Sequence, residues 1–105
     1  MGSTSVHFAA AARVIGDVAR PRGLLVPAFR SPPRVRGAER TLRRWRDGGA
    51  TVSVRVGDRP FVEVVADMVE GVVVANGLSG IAATRIRTAL WEEVTTDSVV
   101  RHEAA

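Results

Sequence analysis

No lysine and no cysteine occur among the 105 residues. Without lysine there is no P-loop ammonium and no Schiff-base chemistry. Without cysteine there is no disulfide, no thiolate zinc site and no thiol nucleophile, and a reducing cytoplasm suits the chain. Long apolar runs are missing as well. Stretches such as Ala9–Ala12 and Val72–Ala75 fall far short of the about 20 apolar residues that a membrane-spanning helix takes. The N-terminus has no basic n-region, and Arg13 and Asp17 interrupt its alanines, so no signal peptide is expected. The sequence therefore predicts a soluble, cytoplasmic protein that does not enter a membrane.

In place of lysine stand 15 arginines, unevenly spread. Eleven lie between Arg20 and Arg59, opposed only by Glu39, Asp47 and Asp58, so that this stretch carries +8. Residues 60–105 hold three arginines against seven acids, or −4. Heavy use of alanine, valine, glycine and arginine is what GC-rich codons give, and it accounts for arginine over lysine but not for the clustering. A chain so polarised has a basic and an acidic face, and suggests a partner bearing phosphates or carboxylates. Residues 30–46 hold seven arginines and one acid, with Trp45 among them and Phe29 at the edge, which is the charge and stacking pattern of a nucleic-acid groove. The candidate phosphate contacts are Arg30, Arg34, Arg36, Arg40, Arg43, Arg44, Arg46 and Arg55, and the expected partner is DNA or RNA. If they bind nothing, the same arginines are a solvated basic face, or one neutralised by the chain's own acids.

Hydrophobic spacing supplies the elements. Phe8, Ala11, Ala12, Ile15, Val18 and Ala19 recur at helical spacing behind Ser3, Thr4 and Ser5 as candidate caps, with Arg13 and Asp17 paired four apart and Pro21 ending the helix. Leu24-Leu25-Val26 reads as an edge strand or extended segment before Pro27, and Arg30-Ser31-Pro32-Pro33-Arg34 as a stiff connector. Val52, Val54 and Val56 alternate with polar residues after Asp47-Gly48-Gly49. This predicts a hairpin over 41–56, pairing Thr41–Arg46 with Ala50–Val56. Leu42 and Trp45 would face opposite sides of its first strand. Placing Trp45 inward buries the fewest arginines and leaves Arg44, Arg46 and Arg55 on the outer face.

Asp58 is a candidate cap, with Pro60 in the first turn, for a helix over about 59–75. Phe61, Val65, Met68 and Val72 would face inward, Glu63, Asp67 and Glu70 outward, and Asn76-Gly77 would stop it. Valine density and Gly71 favour strands, but period-two alternation fails, and the helical period decides. A third helix follows Ser79, with Ala82, Ala83, Ile86, Ala89, Leu90 and Val94 as its buried stripe. Trp91 stands at the edge of that stripe, one turn from Arg87, where the guanidinium can stack on it. Arg87 and Trp91 are the candidate interface residues for a homodimer or protein partner, the alternative function, because the valines of 62–74 exceed what one small core is expected to absorb. From about residue 95 the chain reads as a polar tail.

Glu63, Asp67 and Glu70 share a helical face at a spacing a carboxylate metal site could use. His7 and His102 lie near the termini and offer no complement, so no metal is expected. No serine stands in a G-x-S-x-G elbow. No catalytic residue and no cofactor is assigned, and a non-enzymatic role follows.

The order of helix, three extended segments and helix over about residues 5–75 resembles that of double-stranded-RNA-binding domains. Those domains begin their last helix with lysines, where this chain has Arg59 followed by Glu63, Asp67 and Glu70. Through Leu25-Val26-Pro27-Ala28-Phe29-Arg30-Ser31-Pro32-Pro33-Arg34, Ala66-Asp67-Met68-Val69-Glu70-Gly71-Val72-Val73-Val74 and Ala89-Leu90-Trp91, the chain also resembles the short arginine-rich conserved hypothetical proteins of high-GC actinobacteria. That resemblance carries no activity with it. The fold expected is a single α+β domain over 1–105, its small antiparallel sheet built around hairpin 41–56 and packed against two or three helices.

Overall fold

Eleven of the fifteen residues of one helix, Phe61–Ala75, are buried, and this sets the architecture. A helix apolar nearly all round is stable only when other elements cover it on several sides. The computed structural model describes residues 2–47 and 55–96, with side-chain surroundings for residues 7–47 and 55–93. In chain order the elements are α1 (Gly2–Ala19), a single 3-10 turn (Arg20–Arg22), α2 (Ala38–Asp47), β1 (Arg55–Val56), β2 (Arg59–Pro60), α3 (Phe61–Ala75) and α4 (Gly80–Thr96). Helices α1, α2 and α4 all pack on α3, and α1 also packs on α4 and β1. All four helices and Val56 contribute to one apolar cluster. The fold is α+β, mostly helical, with one small antiparallel sheet against the helices. Among the described residues no helix is long and apolar enough to cross a membrane.

The expected first strand is a helix. Residues 41–46 belong to α2, which buries Ala38, Thr41, Leu42 and Trp45, a spacing of three and four that one helical face accommodates. Trp45 does face inward, at 4 % exposure, but Leu42 accompanies it. Arg44 and Arg46 accordingly do not share an outer strand face with Arg55. Glu39 in the first turn and Arg44 and Arg46 in the last complement the helix dipole. The hairpin that does form is smaller and later, pairing Arg55 with Pro60 and Val56 with Arg59. Its two-residue turn is Gly57-Asp58, where Gly57 takes φ 64° and supplies the positive φ that a type II′ hairpin turn requires at its first position. Val56 is buried at 2 % exposure; Val52 and Val54 lie outside the described residues. With α2 helical, the element order of double-stranded-RNA-binding domains is not kept.

Helix α3 follows its expected period, and Phe61, Val65, Met68 and Val72 are fully buried. Its N-terminus differs from expectation, because Pro60 occupies the cap position without a side-chain cap bond, and Asp58 lies in the turn. The helix stops at Ala75 as Asn76-Gly77 predicts. Gly71, which had argued for strands, is a contact position instead: a Cβ there would meet the Phe29 ring at 3.2 Å. The aromatic ring seats on the helix backbone. Val62, Val64, Val65, Val69, Val72 and Val73 are all absorbed by the core, because α3 is covered on several sides.

The N-terminal helix begins at Gly2, ahead of the serines expected to cap it. Its Arg13–Asp17 pair forms at 3.4 Å, and Ala11, Ile15, Val18 and Ala19 are buried. Segment 24–35 forms no regular element and turns where the Phe29 amide donates to the Pro27 carbonyl; among the described residues it pairs with no strand. Asn76 holds it instead, accepting from the Leu25 amide at 2.8 Å and donating to the Leu25 carbonyl at 2.8 Å and the Val72 carbonyl at 2.8 Å. In α4, Ala83, Ile86 and Leu90 are buried and Ala89 is partly so, whereas Ala82, expected in the stripe, is exposed; the side chain of Val94 lies outside the described residues.

Candidate nucleic-acid interface

The polar residues of α3 order the surface beside it. Asp67 and Glu70, expected outward, are buried at 6 % and 5 % exposure. Each is neutralised by an arginine from another part of the chain. Arg59 donates through Nε to Glu63 at 2.9 Å, through Nη1 to the Pro33 carbonyl at 2.9 Å, and through Nη2 to Asp67. Asp67 also accepts from the Val35 amide at 2.6 Å. The proline connector is thereby fastened to α3, and the chain is positioned to enter α2 at Ala38. One turn on, Glu70 receives Arg87 of α4 bidentately, at 2.9 and 2.8 Å, and the Thr41 hydroxyl of α2 at 2.9 Å. The hydrogen bond and charge of Glu70 raise the Arg87 pKa above its ordinary value, against the opposing effect of burial. A raised pKa means that this contribution to stability is lost only as pH climbs beyond that already alkaline value. No buried side-chain nitrogen or oxygen among the described residues is left without a partner.

The acidic stripe is therefore an internal seam that ties α2, α4 and the connector to the central helix. Its two buried carboxylates consume Arg59 and Arg87, neither of which belongs to the arginine-dense segment 30–46. All seven arginines of that segment remain exposed. Arg36, Arg40 and Arg44 line one depression of about 400 Å3 with Gly37, Thr41, Trp45, Glu70 and Arg87. Arg40 and Arg44 are four apart on α2, hence neighbours on its surface, and Arg36 stands at the turn leading into that helix. Glu70 contributes a carboxylate already saturated by Arg87 and Thr41, so the cavity is cationic.

The remaining candidates fall elsewhere. Arg34 joins Arg36 beside a second depression of about 460 Å3 that also meets Glu39, Glu63 and Asp67. Arg43 and Arg46 lie toward the other flank of α2, Arg30 is in the connector, and Arg55 is on the hairpin. Arg55 donates to the Asp58 carbonyl, and its own carbonyl accepts from His7 Nδ1 at 2.8 Å. Of the two interface candidates, Arg87 directs its guanidinium to Glu70 and only a third of its side chain is exposed. Trp91 is half-buried, and lines a groove of about 250 Å3 with Arg44, Trp45, Thr84, Arg87 and Thr88. Among the described residues no group of three His, Cys, Asp or Glu side chains is placed to hold a metal ion.

Reading the sequence missed the structural roles of Arg59, Asp67 and Glu70. A signal was present: Glu63, Asp67 and Glu70 flank a helix whose other positions are almost all apolar, and such a helix has little free surface on which to solvate carboxylates. Comparison of the chain with protein-family models, curated proteins and solved structures finds no match.

Proposed function

We propose that the protein is a non-enzymatic nucleic-acid-binding module that grips phosphates through Arg36, Arg40 and Arg44, with Arg30, Arg34, Arg43, Arg46 and Arg55 adding to the surrounding positive field. The observation that carries this reading is the cationic depression beside α2. Three exposed arginines surround it, and its one carboxylate is already neutralised from within. Guanidinium groups contact phosphate oxygens in planar, bidentate fashion, and such contacts position a strand without reading its bases. Binding is thus sequence-tolerant, as befits an accessory to a larger nucleic-acid machine in a reducing cytoplasm. Titration with labelled DNA and RNA at low salt tests it. Affinity is expected to fall by about tenfold or more between about 50 and 200 mM salt as condensed counterions are released. Absence of binding to any nucleic acid at low salt would end the proposal.

A second reading, a protein-interaction module or homodimeric adaptor, draws on the opposite kind of surface. Leu25, Val74 and Ile81 are each 71 % exposed, and all three lie near the end of α3 that leads into α4. Mass in solution at micromolar concentration distinguishes a dimer, and Val74→Asp with Ile81→Asp is expected to dissociate it.

A further inference from the structure

Arg44, Trp45 and Arg87 line two adjoining recesses, the arginine depression and the smaller groove between α2 and α4. The groove is completed by Trp91, Thr84 and Thr88. At about 250 Å3 it is smaller than the roughly 300–1,000 Å3 that encloses a whole drug-sized ligand, and suits one planar ring system. Trp45, at 4 % exposure, is core and offers little surface. Trp91 is different: it packs partly on the core and keeps accessible ring surface toward the groove. Its backing is rigid, because Arg87 is held by two hydrogen bonds to Glu70. Thr88 is exposed, so its hydroxyl is available to a polar ring edge.

We infer that the ligand is a single strand of nucleic acid, one base of which enters the α2–α4 groove against Trp91 while the adjoining phosphates lie on Arg36, Arg40 and Arg44. The inference rests on reading the basic depression as a phosphate site and adds the choice of strand form. A base in a duplex is stacked and paired and cannot enter a recess walled by two helices; an unpaired base can. Aromatic stacking tolerates any base, because each has a π face, and a cationic groove with an aromatic platform is the combination that single strands use. An acidic peptide would match the charge but leave the aromatic surface without a planar partner.

The test is fluorescence anisotropy at fixed low salt, with a labelled oligothymidylate and a duplex of equal phosphate number, on the wild type, Trp91→Leu, Trp91→Phe and Thr88→Leu. The strand is expected to bind the wild type more tightly than the duplex. Trp91→Leu is expected to weaken strand binding by about fivefold or more and leave duplex binding unchanged, with Trp91→Phe recovering most of the loss. Thr88→Leu obstructs the groove from an exposed position without touching the core, and is expected to produce the same selective loss. Equal affinity for strand and duplex, or strand binding that ignores both Thr88→Leu and Trp91→Leu, overturns the inference and leaves the phosphate reading standing. Polyglutamate competes for the arginines alone, so at equal charge it is expected to displace the duplex more readily than the strand; equal displacement of both overturns the inference. Failure of the wild type to bind either nucleic acid removes the phosphate reading and this inference together.

Discussion

Asp67 is the residue on which the most structure converges. Its carboxylate accepts from Arg59 and from the Val35 amide, so removing it leaves the buried Arg59 guanidinium with Glu63 and the Pro33 carbonyl alone and the Val35 amide without its acceptor. Truncating one member of a buried ion pair costs about 3–5 kcal/mol. Asp67→Ala is accordingly expected to lower the unfolding free energy by up to about that amount, read as a lower urea midpoint with an unchanged denaturant slope. Glu70 invites a different experiment because it touches the proposed site. Glu70→Gln keeps the side-chain shape but removes the charge that neutralises Arg87 and turns one acceptor oxygen into an NH2 donor, so one of the two bonds from Arg87 is lost as well. Stability is expected to fall by about 1–3 kcal/mol, while affinity for polyanions rises, since Arg87 then presents its charge to the depression. A variant that loses both stability and affinity would show instead that the seam matters to binding only by holding the fold.

At the scale of elements, Gly71 and Phe29 show how a connector without secondary structure is held. The ring rests where a Cβ would stand at 3.2 Å, so Gly71→Leu is expected to displace Phe29 and cost about 1–3 kcal/mol, with faster proteolysis within 24–35 as the local readout. Helices α1, α3 and α4 were legible because their apolar residues recur every three or four positions over many turns. Helix α2 was not, although its residues carry a conflict that a strand cannot resolve. Leu42 and Trp45 could not both face inward on a strand, yet with Ala38 and Thr41 they fall on one helical face. The conflict was the helical period itself, obscured by a glycine pair after Asp47 that resembles a hairpin turn. At α3 the helical period rightly outweighed the strand preference of its valines: β-branched side chains suit a central helix when packing outweighs their propensity.

For the whole molecule, the arginine cluster was visible in the sequence, but its partition was not. Linear spacing cannot show that Arg59 and Arg87 would turn inward to neutralise Asp67 and Glu70, nor that Arg36, Arg40 and Arg44 would converge while Arg30 and Arg55 would not. Tertiary packing of α2 and α4 against α3 decides both, and it creates the cationic depression on which the functional reading rests. That reading stands on charge that is exposed and uncompensated, so the salt dependence of binding measures it directly. Each phosphate contact contributes about 0.7 to the slope of log K against log salt on single strands. Replacing Arg36, Arg40 and Arg44 together by serine, with an oligothymidylate as ligand, is expected to make that slope shallower by about two and to weaken binding on every sequence alike. A triple variant with the slope and affinity of the wild type would contradict the account.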